Sequence, residues 1–203
     1  MDRITLYTVD VRELAGHEQA ALALLTPERR AKVERIKPEQ DKLHSTAAGL
    51  LLRHVLGVIS DGDLRCGQFG KPELTAGAPC FNLSHGGNYV VLAVSETPVG
   101  ADIEPVGEKL PIAIPKRWLL PEELALLEED TTPECFARLW TRLESALKAD
   151  GRGFLLEDRD FSVLEDGAWY FRTVSYDGHI LSCASDGPFE MNITKLSAEE
   201  LLT

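Results

Sequence analysis

The sequence predicts an α+β protein, and three features carry that prediction. An N-terminal block reads as helices punctuated by proline and glycine, short β-rich runs begin at Cys80, and one long amphipathic helix lies between Thr132 and Gly151. Residues Ile4 to Val11 come first: apolar and polar side chains alternate through Ile4 and Leu6, which marks a strand. The segment HEQAALALL is apolar enough to pack as a helix. Thr26-Pro27-Glu28 then supplies a cap, a proline at the first helical position and an acid in the first turn, so a second helix is expected over 27–36. Pro38 opens a longer one through LHSTAAGLLLRHVL, with Gly57 as its stop.

From Cys80 the runs FNLSH, NYVVLAVS and VGADIE, separated by glycine, asparagine and proline, read as three strands. Pro121 and Pro133 each sit where a helix begins, and the second helix runs from a Thr132 cap to Ala149 or Asp150. Asp166-Gly167 lies between apolar runs in FSVLEDGAWYFRTV and predicts a hairpin. Asp177-Gly178 predicts another, within Tyr176 to Ala184. No repeated segment is legible along the chain.

Composition excludes several function classes. With 203 residues, 44% hydrophobic and 27% charged, the chain can bury a core and is not expected to be disordered. A formal charge of -12 argues against nucleic acid as a partner, because such binding rests on neutralising phosphates. No apolar run approaches the roughly 18 to 20 residues that span a bilayer, and the start lacks a basic-then-apolar leader, so a cytoplasmic protein without membrane association is expected. Cys66, Cys80, Cys135 and Cys183 form neither a CxxC pair nor a metal spacing, and read as reduced, mostly buried thiols.

Four constellations could carry chemistry. In Gly100-Ala101-Asp102-Ile103-Glu104 the two acids are two apart on a strand and share a face, where mutual repulsion favours a hard cation such as Mg²⁺. In Trp140-Thr141-Arg142-Leu143-Glu144-Ser145-Ala146-Leu147-Lys148, helical spacing sets Trp140, Glu144 and Lys148 in one row. Phe136, Leu139, Leu143 and Leu147 form an apolar stripe beside it. Gly70-Lys71-Pro72 predicts a turn that exposes Lys71, and Ser84-His85 at a strand end can hold a phosphate. Arg29, Arg30, Lys32, Lys37, Lys42, His44 and Arg53 make a basic helical patch. Taken singly, each has a plain explanation: a solvated strand edge, a surface ion pair, a turn histidine, a solvated helix face.

Their joint order is more specific. PERR, FGKP, FNLSH, VGADIE and WxxxESxxKxxGxG follow one another from about Thr26 to Phe161, and in this the chain resembles the surfactin-type 4'-phosphopantetheinyl transferases. The resemblance implies two similar α+β halves, 1–98 and 99–203, related by a pseudo-twofold axis with coenzyme A in the cleft between them. It implies transfer of phosphopantetheine to a serine of an apo acyl or peptidyl carrier protein in fatty-acid, polyketide or nonribosomal peptide synthesis, with release of 3',5'-ADP by a monomeric enzyme. Asp102, Glu104 and Glu144 match the family's magnesium ligands, Glu144 its base, and Lys148 the lysine near the pyrophosphate. Arg29, Lys32, His44, Ser84 and His85 match the grip on the 3'-phosphate of coenzyme A, and Lys71 with Pro72 the turn beside the adenine.

Two positions depart from the pattern. Leu143 stands where the family has a lysine, and His44 where many relatives have an arginine. The alternative is therefore a weakened homologue that binds coenzyme A or a carrier without efficient transfer; a metal-dependent phosphohydrolase is a third reading. The stretch Lys109 to Leu120, with Ile112, Ile114 and Trp118, is the expected carrier-docking surface or else part of the core.

Overall fold

The computed structural model describes residues 1–108, 118–155 and 159–203. The first strand is β1 (Asp2–Asp10), with Ile4 and Leu6 buried on one face and Val9 on the other. The helical block follows as α1 (Glu18–Leu24), α2 (Pro27–Arg35) and α3 (Glu39–Leu56). Thr26 caps α2 by accepting from the Arg29 N–H, and Gly57 ends α3 at φ 68°, a left-handed conformation that costs glycine little. A short hairpin, β2 (Leu64–Cys66) with β3 (Pro72–Leu74), was not expected. Then come the three predicted strands, β4 (Cys80–Gly86), β5 (Tyr89–Ser95) and β6 (Val99–Pro105). Helices α4 (Pro121–Glu129) and α5 (Pro133–Asp150) precede β7 (Tyr170–Tyr176), β8 (His179–Ser185), β9 (Phe189–Lys195) and α6 (Ala198–Leu201).

The strands form two main sheets, ordered β4-β5-β1-β9 and β6-β8-β7. Burial patterns stack them as helix, sheet, sheet, helix. One core joins α1, α2 and α3 to Val9, Phe81, Val90 and Leu92 of the first sheet. A second fills the space between the sheets with Ile4, Leu6, Val91, Ala101, Ile103 and Leu181. A third joins α4 and α5 to Phe171 and Ala184 of the second sheet. Alternation along each strand makes this possible, since neighbouring residues serve different cores. Fully burying each of the larger side chains contributes roughly 1.5–3 kcal/mol.

Three expectations need correction. The run of strands β4, β5 and β6 recurs as β7, β8 and β9, strand for strand and of equal length, each run being a hairpin whose third strand crosses to the other sheet: Tyr170 follows Cys80, His179 follows Tyr89 and Phe189 follows Val99 at one interval. The repeat was illegible because only backbone spacing and a few residues persist, such as Ser95 with Pro98 against Ser185 with Pro188. Strand β9 and helix α6 were also missed. β9 pairs in parallel with β1, so a segment late in the chain completes the sheet of the first.

The predicted hairpin at Asp166-Gly167 does not form, although β7 lies where its second arm was expected. The Val163 N–H goes to Glu123 Oε1 at 2.9 Å instead of to a ladder partner, and Asp166 Oδ1 accepts from the Phe171 N–H. Glu123 is fully buried and forks with Arg159; its carboxylate also accepts from the Leu120 N–H. The first arm is held by this buried charge rather than by a sheet. The expected hairpin at Asp177-Gly178 does form, and the Tyr89 hydroxyl donates to Asp177 at 2.5 Å across the two sheets.

Candidate functional site

Strand β6 is an edge of the second sheet, and two elements lie against it. From the first sheet comes β4, whose period-two face carries Asn82, Ser84 and Gly86. Asn82 Oδ1 accepts from the Ala101 N–H at 3.0 Å, and Ser84 Oγ donates to Asp102 Oδ1 at 2.8 Å. A Cβ on Gly86 would lie 2.1 Å from the Ile103 carbonyl oxygen, so only glycine permits this approach. From the other side comes α5. At Gly100 an added Cβ would meet the Ser145 carbonyl at 2.0 Å and the Ala149 nitrogen at 2.4 Å, so strand and helix backbones nearly touch. Gly100, Asp102 and Glu104 therefore face the helix while Val99, Ala101 and Ile103 fill the core between the sheets.

On α5 the expected row is present. Trp140 lies one turn before Glu144 and favours its charged form, and Lys148 Nζ lies 3.3 Å from Glu144 Oε2. The same ammonium donates to Asp102 Oδ1 at 2.5 Å and to Ser84 Oγ at 3.1 Å. Asp102 is 2% exposed, and its Oδ2 is buried with no partner among the described residues. Also among the described residues, no three His, Cys, Asp or Glu side chains stand grouped as ready metal ligands. Between Asp102 and Glu144 stands the ammonium of Lys148.

Glu104 and Glu144 both feel the acids beside them. Burial, reinforced by Asp102 and Glu144 and opposed by Lys148, pushes Glu104 up to about 7. Burial and then Asp102 raise Glu144, with Lys148 and Trp140 acting against them. Burial works against the charge on Lys148, but Asp102 and Glu144 outweigh it and hold the ammonium above the usual lysine value.

Glu104 makes stability depend on pH. Between its ordinary value of 4.5 and about 7, the folded protein keeps a proton that the unfolded chain has released. Stability from this group is complete below pH 4.5 and is lost as pH rises toward 7. In metal-free buffer, Glu104→Gln is therefore expected to be more stable than the parent at pH 8 by about 1 kcal/mol, after discounting for solvent screening, and to match it near pH 4. Urea melts at both pH values check this; an offset that does not change with pH would assign the effect elsewhere.

The other predicted residues fall into two places. Ser84 and His85 alternate as strand neighbours must: Ser84 is buried on Asp102, whereas His85 is exposed and stacks on His44 with ring centroids 4.6 Å apart. Burial and then the charge of His44 lower the pKa of His85. His44 is itself buried, and its Nε2 donates to the Gly87 carbonyl at 2.8 Å. Arg29, Lys32 and Pro72 line a separate groove of about 720 Å³, in the size range of small-molecule sites, together with Arg35 and Arg65.

Lys71 overturns its sequence reading. Its ammonium is turned inward, donating to the carbonyls of Val99 (3.0 Å), Lys148 (2.7 Å) and Ala149 (3.4 Å), and burial lowers its pKa. It ties the start of β6 to the C-terminal end of α5, whose last carbonyls lack intrahelical partners and attract a cation. Of the expected docking stretch, residues 109–117, with Ile112 and Ile114, lie outside the described residues. Trp118 stacks at a tilt on Phe154.

The chain is similar to known proteins along most of its length. The family model for the 4'-phosphopantetheinyl transferase superfamily matches residues 98–193, the segment that holds β6 and α5. A 4'-phosphopantetheinyl transferase of Bacillus subtilis is 32% identical over 197 residues, covering 92% of this chain and 83% of the relative. This chain belongs to the 4'-phosphopantetheinyl transferase superfamily. The 4'-phosphopantetheinyl transferase Sfp of Bacillus subtilis (strain 168) is 29% identical over 205 residues, covering 89% and 91% of the two chains. The enzyme gsp of Aneurinibacillus migulanus, with the same activity in its name, is 28% identical over 185 residues, covering 80% and 77%.

Membership sharpens the departure at Leu143. Leu143 is 1% exposed in the core beside Leu139 and Leu147, so position 143 on this helix points away from the acids. Arg142 does not replace the missing charge: its guanidinium lies over the Phe171 ring at 4.5 Å and reaches toward the Leu164 carbonyl. Lys148 is thus the only cation among the described residues that hydrogen-bonds these acids. Sequence reasoning missed Asn82, Gly86 and Gly100 as positioning residues. The available signal was their period-two spacing with Ser84 and Asp102.

Proposed function

We propose that this chain transfers the 4'-phosphopantetheine group of coenzyme A to a serine of an apo acyl or peptidyl carrier protein, with Mg²⁺, releasing 3',5'-ADP. The observation that carries the reading is the meeting of Asp102, Glu144, Lys148 and Ser84 where β4, β6 and α5 converge. The buried Oδ2 of Asp102, without a partner among the described residues, and the hard oxygen donors of all three acids fit a magnesium ion. Asp102, Glu104 and Glu144 would hold it, and bound there it would offset negative charge on the pyrophosphate oxygens.

The side chains then have distinct tasks. Glu144, its pKa raised by burial and by Asp102, accepts the proton of the carrier serine as that oxygen attacks the phosphorus bearing pantetheine. The new Ser Oγ–P bond forms as the pyrophosphate P–O bond breaks, and 3',5'-ADP departs with the electron pair. Lys148 stabilises the charge that develops on the phosphate oxygens, and no covalent enzyme intermediate is required. Arg29 and Lys32, on the groove they share with Pro72, would bind the 3'-phosphate and adenine end of coenzyme A, while Ser84, His85 and His44 would border its path toward the acids. The matching antiparallel orders β4-β5-β1 and β7-β8-β6 in the two sheets support two similar halves, 1–98 and 99–203, about a pseudo-twofold axis.

Among the described residues no helix is long and apolar enough to cross a membrane. The reading takes the enzyme to be a cytoplasmic monomer, and a charge of -12 argues against nucleic acid as a partner. Because carriers are commonly acidic too, docking is expected on an apolar surface with local basic spots.

Incubating the protein with apo carriers, coenzyme A and Mg²⁺ and weighing the carriers tests the reading. A carrier that gains the phosphopantetheine mass supports it. Tight coenzyme A binding with no gain on any carrier would favour the weakened homologue to which Leu143 points, and coenzyme A breakdown without a carrier would favour a phosphohydrolase.

A further inference from the structure

We propose that Lys148 gates the cation: its ammonium bridges Asp102 and Glu144 until the pyrophosphate of coenzyme A draws it away, so that the divalent cation binds strongly only after coenzyme A. The inference rests on the metal reading above and adds an order of binding to it.

The argument begins with the contacts of one nitrogen. An ammonium offers three donors, and here Asp102 Oδ1 (2.5 Å), Ser84 Oγ (3.1 Å) and Glu144 Oε2 (3.3 Å) engage it from three elements. Asp102 and Glu144 are both proposed metal ligands, so ammonium and divalent cation claim the same carboxylate oxygens. Two positive charges do not share such a neighbourhood, because their repulsion is large where solvent is scarce. The partners differ in freedom. Asp102 is fixed on a strand, 2% exposed and held by Ser84, whereas the lysine side chain is 28% exposed on a flexible four-carbon stem. Lys148 is the component that can leave.

It also needs somewhere to go. Withdrawing the ammonium without a substitute would leave a buried, unpaired carboxylate, which is strongly unfavourable. A pyrophosphate beside the helix supplies anionic oxygens for the lysine, and a cation can then take its place on the acids, so every charge stays paired. In free enzyme the cation-competent state is a minor one, and apparent metal affinity is reduced by that fraction. Asp102 Oδ2, buried and without a partner among the described residues, is the donor this exchange would satisfy.

Isothermal titration of Mg²⁺ into the parent protein and Lys148→Met, each with and without saturating coenzyme A and corrected for Mg²⁺ binding to coenzyme A alone, tests the gate. Without coenzyme A the variant is expected to bind Mg²⁺ about tenfold or more tightly than the parent; with it, the ratio should fall below about threefold. A ratio that coenzyme A leaves unchanged makes Lys148 a fixed neighbouring charge and overturns the gate while the metal site stands. Equal affinities without coenzyme A overturn it as well. If neither protein binds Mg²⁺ under either condition, the metal reading itself fails. Should Lys148→Met not fold, the Nζ resonance of ¹⁵N-lysine-labelled parent protein decides. Mg²⁺ alone should leave the exchange-protected ammonium signal in place, and coenzyme A should shift it; a signal displaced by Mg²⁺ alone overturns the gate.

Discussion

Glu144→Gln is expected to lower the transfer rate by about 10³-fold, the scale on which a positioned general base contributes. Glutamine keeps the shape of the side chain, but it cannot take the serine proton. The fold should survive, because Leu139, Leu143 and Leu147 pack the other face of α5, and Lys148 retains Asp102 at 2.5 Å and Ser84 at 3.1 Å. Turnover at saturating coenzyme A and carrier, alongside a melting curve, separates the two effects. Near-parental turnover would remove Glu144 from the base role, and a collapsed melting curve would make it structural.

Gly100→Ala should damage both stability and turnover, although it adds only one carbon. The new Cβ would sit 2.0 Å from the Ser145 carbonyl oxygen and 2.4 Å from the Ala149 nitrogen, both of them helix backbone that cannot rotate aside. The helix must move off the strand, at a cost of about 3 kcal/mol for such overpacking. Because β6 carries Asp102 and α5 carries Glu144 and Lys148, a shift of about 1 Å should also slow transfer about 10²-fold. Gly187→Ala is the matched control, since nothing lies within 4 Å of its added carbon, and it should change neither melting temperature nor turnover. If Gly100→Ala behaves like that control, the close seating of α5 on β6 is wrong.

Directions along a single element were legible in the sequence. Asp102 and Glu104 share a face because strand residues alternate, and Trp140, Glu144 and Lys148 share a row because they are about one helical turn apart. Helix ends were equally readable at Thr26, Gly57, Thr132 and Gly151, where capping chemistry is local. The failures concern meetings between elements. Lys71 looked exposed because the carbonyls that capture it belong to residues 99, 148 and 149. Asp166-Gly167 looked like a hairpin because Glu123, which claims the Val163 N–H, is remote in sequence.

The sequence by itself determined the α+β class, the family, and which acids and lysine could serve the chemistry. Only the tertiary structure decided that β6, β4 and α5 press together closely enough for one ammonium to bridge Asp102 and Glu144. The reason is physical: spacing sets where a side chain points relative to its own backbone, whereas the distance between backbones depends on glycines and cores that belong to several segments at once.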